Sequence, residues 1–212
     1  MEVYLASAAG LLSWCGKWRK IPTPLAHPTL LAACGADVAL ADSVNRLLYR
    51  QGRVSTLPPG VEVLRCWRNQ LLTLSSETNC LTLYDAHDYP LVTSPAGIRP
   101  CDCAVVDCQV IVCGCEDGCL HIFSLPDLRE IAAYPVPGCP MRVAADGGVL
   151  TCLSLLSPDP PQTLLFRLCL TSGDFAPVAL LPGWCGAVTI ADDHTTVSYT
   201  HLRAHETRSN LV

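Results

Sequence analysis

Fourteen cysteines occur in 212 residues, and six of them (Cys101, Cys103, Cys108, Cys113, Cys115 and Cys119) crowd one short stretch. Sulfur at that density points first to zinc or an iron–sulfur cluster. The spacing argues otherwise. Structural zinc sites favour Cys-x2-Cys knuckles, which turn two thiolates toward one point. Cys101-x-Cys103 and Cys113-x-Cys115 on extended chain only place two side chains on one face. The other eight (Cys15, Cys34, Cys66, Cys80, Cys139, Cys152, Cys169 and Cys185) stand where a small apolar residue would serve. Packing is the favoured reading, and a metal across Cys101 to Cys119 is the alternative. Disulfides are not expected in a chain without a secretion signal.

Histidine chemistry is thinner. His27, His87 and His121 lie far apart, while His194, His201 and His205 fall at or beyond the end of the repeating pattern described below. A lone histidine reads as a solvated or edge residue. There is no Gly-x-Ser-x-Gly elbow, no His-Glu-x-x-His, no phosphate loop and no dinucleotide fingerprint. The residues therefore predict no catalytic group, no metal and no cofactor. One charged pattern remains: Arg65, Asp102 and Arg142 recur at intervals of 37 and 40 residues, with Arg99, Trp67 and Trp184 close by in the pattern. Two guanidinium groups around one carboxylate suit bidentate capture of a second carboxylate or a phosphate. The competing reading is mutual pairing in a wet channel, where each exposed pair contributes at most about 1 kcal/mol.

The elements that must position these residues follow from a repeat. A turn residue or two, a pair of aliphatics and an aromatic recur, ending at Trp14, Tyr49, Tyr84, Phe123 and Phe166, at intervals of 35, 35, 39 and 43. Pro58, Pro95, Pro137 and Pro182 each lead within two residues to Gly60, Gly97, Gly138 and Gly183, and Pro22 marks the first unit. Proline cannot donate to a ladder and glycine supplies the positive φ of a tight turn, so each pair ends an outer strand. A period near 40 built from short strands predicts an all-β fold of β-propeller blades, each a four-stranded antiparallel meander.

Residues 1–193 then hold three strands of a first blade, four full blades and the inner strand of the next. That is about five blades, an incomplete ring of a larger propeller. Inner strands are expected at 30–34, 61–67, 101–107, 141–145 and 187–191, and second strands at 38–42, 71–75, 110–115 and 149–154. Inner strands line a propeller's channel, and the loops leading into them form its mouth. Arg65, Asp102 and Arg142 are thereby placed where ligands sit. The five aromatics are expected to fill the space between stacked sheets.

The run Leu120-His121-Ile122-Phe123-Ser124-Leu125-Pro126-Asp127, continuing through Val136-Pro137-Gly138 to Asp146-Gly147-Gly148, resembles a YVTN-type, WD-repeat-like propeller repeat. The resemblance extends over residues 1 to about 192 as a pattern and is close only in this unit. It implies the fold. Some propellers of this kind are lactonases that combine His, Arg and Glu at the mouth, and no such set maps onto this chain.

Half of the residues are hydrophobic and 16% are charged, yet no apolar run approaches the roughly 20 residues that span a bilayer. The amino terminus lacks the basic and apolar regions of a secretory leader. A net charge of −5 offers no footprint for nucleic acid. These features predict a cytoplasmic protein without membrane or nucleic-acid partners. From Val197 to Arg208 the string resembles translated sequencing-adapter DNA, so residues 194–212 are expected to be non-native or disordered. The functional expectation is a noncatalytic scaffold that binds a protein or a small anionic ligand. The alternative is a propeller hydrolase or lactonase whose site is completed by further blades.

Overall fold

The computed structural model describes residues 3–7, 10–34, 37–191 and 194–199, and among them every regular element is a strand. The first sheet holds β1 (Val3–Ser7), β2 (Gly10–Trp14) and β3 (Trp18–Ile21). The second holds β4 (Leu30–Cys34), β5 (Asp37–Asp42), β6 (Leu47–Arg50) and β7 (Arg53–Thr56). The third runs through β8 (Val61–Trp67), β9 (Gln70–Ser75), β10 (Cys80–Tyr84) and β11 (Pro90–Pro95). The fourth comprises β12 (Pro100–Val106), β13 (Gln109–Gly114), β14 (Cys119–Ser124) and β15 (Glu130–Pro135). The fifth comprises β16 (Cys139–Asp146), β17 (Val149–Pro158), β18 (Pro161–Cys169) and β19 (Phe175–Pro182), and a last pair joins β20 (Cys185–Ala191) to β21 (His194–Tyr199).

Strand order within each sheet follows chain order, so every sheet is an antiparallel meander. Successive sheets meet through their first strands, β4 beside β8, β8 beside β12, β12 beside β16 and β16 beside β20. The result is an open arc of propeller blades. A three-strand sheet and four four-strand sheets are observed, followed by the pair β20–β21 where an inner strand alone was expected, and most boundaries agree within two residues. The exception is β17 and β18, which run on to meet at Pro158 and Pro161 because no turn residue interrupts Leu153-Ser154-Leu155-Leu156. The backbone of β21 pairs with β20. No described helix is long and apolar enough to cross a membrane.

The core lies between sheets rather than within them. Val63, Leu72, Leu74, Leu81 and Leu83 of the third sheet pack against Cys103, Val110, Val112 and Phe123 of the fourth. Ile111, Cys113, Leu120 and Ile122 on the other face pack against Val143, Leu150, Cys152 and Phe166 of the fifth. Both faces of each middle sheet are thus buried, which is why their strands read as near-continuous apolar runs. From the second sheet onward the once-per-blade aromatic points to the preceding sheet: Tyr49 joins the cluster with Leu11, Tyr84 the one with Ala39 and Leu48, and Phe123 and Phe166 are fully buried in theirs. Trp14 departs from the expectation. No sheet precedes the first among the described residues, and Trp14 is 39% exposed, its ring tilted against that of Trp18 with centroids 5.3 Å apart.

A recurrent polar bond sets the angle between loop and blade. At equivalent positions of the second strands, a residue ties down the loop leading into its own sheet. Asp42 accepts the His27 N–H at 3.1 Å, the Ser75 hydroxyl donates to the Pro59 carbonyl at 2.7 Å, and the Ser154 hydroxyl donates to the Pro137 carbonyl. In the fourth sheet that position is Gly114, and Asp117 of the following turn accepts the Ile98 N–H at 2.7 Å instead. Gly60, with φ +65°, lies so close to Glu77 that any side chain there would collide with backbone. The Pro–Gly punctuation therefore marks close approach as well as a turn.

One expectation about sulfur is corrected. Cys34 and Cys66 are joined as a disulfide, with Cα atoms 5.3 Å apart. They stand near the ends of β4 and β8, neighbouring inner strands that hold equivalent positions side by side, so a separation of 32 in sequence becomes adjacency in space. The other described cysteines are free, with Cys103, Cys113, Cys152 and Cys185 buried.

Candidate functional site at the channel mouth

Each inner strand from β8 onward carries a one-residue irregularity at the same place. The ladder skips Glu62 between Val61 and Val63, Cys101 between Pro100 and Asp102, Met141 between Pro140 and Arg142, and Gly186 between Cys185 and Ala187. Bulges of this kind re-aim side chains and bend the strand. Here they fall where residues at the start of the inner strands line one cavity. A cavity of about 210 Å³ lies there, walled by Glu62, Arg65, Cys101, Asp102 and Arg142 with Leu30 and Leu31. A deeper space of about 470 Å³ shares Leu31, Leu64 and Arg65 as walls and is otherwise lined by Ala32, Ala104, Ala144 and Val188.

The ladder also fixes the phase of the charged residues. Val63, Asp102, Arg142 and Ala187 occupy equivalent positions just after the irregularity, and Arg65 stands two residues deeper. The three charges converge without being copies of one repeat position. Arg65 donates from Nε to the Cys103 carbonyl at 2.8 Å and from Nη2 to Asp102 Oδ1 at 2.8 Å. Arg142 donates from Nε to the Gly186 carbonyl at 2.8 Å and from Nη1 to the Met141 carbonyl at 2.6 Å. Each arginine therefore clasps the inner strand of the following sheet.

Asp102 is 7% exposed. Its Oδ1 accepts the Cys103 N–H at 2.9 Å as well as Arg65, and its Oδ2 accepts the Val143 N–H at 3.1 Å. One carboxylate thus links β8, β12 and β16. Inner strands are sheet edges with unpaired N–H groups, and Asp102 satisfies one of them. Burial pushes the Asp102 carboxyl above its ordinary value of 3.8, with the Arg65 guanidinium opposing the shift. The expected wet pair is, on the carboxylate side, a dry one.

The arginines differ in what remains available. Arg65 is 40% exposed in its side chain and its charge faces Asp102. Arg142 is half-buried, both of its hydrogen bonds go to backbone carbonyls, and no described carboxylate lies within ion-pair distance of it. Glu62, which the repeat pattern does not single out, occupies a skipped position on the cavity wall and accepts the Ser76 hydroxyl at 2.5 Å. Arg99, Trp67 and Trp184 are not among the walls. Arg99 is exposed and pairs with Glu116 at 3.0 Å. Trp67 stands at the far end of β8, 8% exposed, donating from Nε1 to the Asp107 carbonyl at 2.7 Å with the Arg68 guanidinium over its ring. Trp184 is half-buried in the loop before β20.

These features define the class: β-propeller blades in an open arc, with a small polar cavity where the inner strands begin. No family model matches the chain, and no curated protein matches it. Solved structures do. U3-55K superposes with a TM-score of 0.67 at 14% identity, covering 90% of this chain and 68% of that one. The WD40 β-propeller domain of Doa1 gives 0.67 at 12% identity, covering 89% and 69%. BamB from Moraxella catarrhalis gives 0.63 at 12% identity, covering 91% and 62%. Identity at this level shows a common fold and nothing about activity.

Proposed function

We propose that this chain is a noncatalytic β-propeller scaffold that captures a carboxylate- or phosphate-bearing group, free or on a partner's loop, at the mouth around Arg142, Arg65 and Asp102. The observation that carries the reading is Arg142: a guanidinium on the wall of the 210 Å³ cavity, anchored by two carbonyls and within ion-pair distance of no described carboxylate, with Asp102 feeling its charge from further off. Its backbone bonds pre-orient the fork, so an incoming anion meets a donor that needs no reordering. Asp102 and Arg65 form the rigid floor, with Asp102 holding the guanidinium beside it. The buried carboxylate is committed to three donors, which supports a positioning role over acid or base chemistry.

The test is a titration of the full chain with inorganic pyrophosphate and with a glutamate-rich peptide, following tryptophan fluorescence. Arg142→Gln should weaken the tighter of the two by roughly tenfold to a hundredfold, the range expected for a charge-assisted bidentate contact. Unchanged affinity in Arg142→Gln would remove the reading, and turnover of a lactone or ester by the wild type would hand the case to a propeller hydrolase.

A further inference from the structure

We propose that the hairpin between β13 and β14 is a binding site for a thiophilic divalent cation of the zinc class, with Asp117, Cys119 and His121 as ligands. A carboxylate oxygen, Sγ and a ring nitrogen of these residues lie within 4.8 Å of one another. Zinc distances to oxygen, nitrogen and sulfur of about 2.0–2.3 Å imply ligand-to-ligand edges of about 3.3–3.8 Å in a tetrahedron. The three ligand atoms must therefore draw together by up to about 1 Å or a little more to close the set. Asp117 sits in the turn, and Cys119 and His121 alternate onto one face of β14. Two negative ligands and one neutral imidazole balance the charge of a divalent ion and leave the fourth position to water.

Three further observations point the same way. His121 presents Nε2 to Asp117 Oδ2 at 3.0 Å and Nδ1 to Glu130 Oε1 at 2.7 Å. With both nitrogens facing carboxylates, a neutral ring has a hydrogen to offer only one of them. If Nδ1–H goes to Glu130, the Nε2 lone pair meets the Asp117 oxygen, and a cation between them resolves the conflict. A carboxylate on the far nitrogen is also what orients a metal-binding histidine. Next, two glycines clear the space. A Cβ at Gly97 would come within 2.6 Å of His121 Nε2, and one at Gly114 would collide with the Asp117 carboxylate. Finally, the set is peculiar to this blade. The ladder puts Ser75 and Gly114 at equivalent positions, so Thr78, Cys80 and Thr82 of the third sheet correspond to Asp117, Cys119 and His121. That hairpin folds with two hydroxyls in place of the carboxylate and the imidazole; Asp117 also makes the loop bond that Ser75 makes there, so it is His121 that the propeller itself does not require.

Zinc and cobalt titrations of the full chain test this site. Zinc should raise the unfolding midpoint of the wild type, and cobalt should give the absorption of a thiolate complex. Cys119→Ser and His121→Gln should each lose one equivalent of bound metal, while Cys80→Ser, the same position one blade earlier, should keep it. A midpoint unmoved by zinc, or a cobalt complex without a thiolate band, overturns the proposal and leaves Asp117, His121 and Glu130 as a hydrogen-bonded chain. Equal stoichiometry in Cys119→Ser and wild type overturns it as well.

Discussion

Removing the Asp102 carboxylate probes the mouth directly. Asp102→Ala takes away the acceptor of three bonds, those from Arg65, Cys103 and Val143. The Arg65 link counts for no more than about 1 kcal/mol, because that side chain is 40% exposed and rehydrates. The two backbone N–H groups lose about 1 kcal/mol each, and relief from burying a charge offsets part of the total. The net cost should be about 2 kcal/mol, read as a lowered midpoint in a urea titration followed by the fluorescence of the four tryptophans. The pH dependence gives a sharper test. Burial raises the Asp102 carboxyl above 3.8, so the folded chain holds this proton more tightly than the unfolded one. Stability from this group is therefore greatest below 3.8 and is lost as pH rises through the raised value. Asp102→Asn does not titrate there, so the wild type's stability relative to Asp102→Asn should fall as pH rises from 3.8 through the raised value. A relative stability that grows over that range would mean that Arg65 and the two N–H groups outweigh burial, and the account of the mouth would be wrong.

Two predictions concern other parts of the molecule. Phe123→Ala, at a fully buried side chain between the third and fourth sheets, should cost about 3–5 kcal/mol, whereas Trp14→Ala should cost well under half as much; comparable losses in chemical denaturation would refute the backward-packing rule. Hydrogen bonding from the Ser172 hydroxyl, and then from Thr171, holds the Cys169 thiol down at about 6, while burial pushes Cys103 up to about 12 and raises Cys113 and Cys152. At about pH 7 maleimide should label Cys169 first and reach Cys103, Cys113 and Cys152 only after unfolding; peptide mass spectrometry showing Cys103 labelled as fast in the native chain would contradict this.

The blades were legible because their signals are local. Alternation within a strand, Pro95-Ala96-Gly97 after it and Glu116-Asp117-Gly118 inside the hairpin all act over a few residues. The phase of Arg65 was not legible. Counting from Gly60, Gly97 and Gly138 aligns Arg65 with Asp102, but the loops after these glycines differ in length, and only the ladder shows that Val61, Pro100 and Pro140 correspond. The burial of Asp102 depends on a free N–H at Val143, 41 residues away and one sheet over. The Cys34–Cys66 link has the same origin, since pattern shows which residues face inward and not which edges lie side by side. The grouping of Asp117, Cys119 and His121 was not legible, because the pattern leaves His121 a lone edge histidine and its partners Glu130 and Gly97 arrive from neighbouring segments.

The backward-pointing aromatics have a thermodynamic consequence. Each sheet is held to its predecessor by its own Tyr or Phe, and to its successor by receiving another, so the arc is a nearest-neighbour chain of coupled units. In a closed ring every unit has two neighbours and none can leave first. An open chain has two ends, each with a single coupling, so opening fluctuations start at the termini and move inward one interface at a time. Amide exchange should be slowest in β13, buried on both faces in the middle of the arc, and graded toward β2 and β20. Joining the ends, or supplying the missing neighbour, would convert that gradient into one cooperative transition.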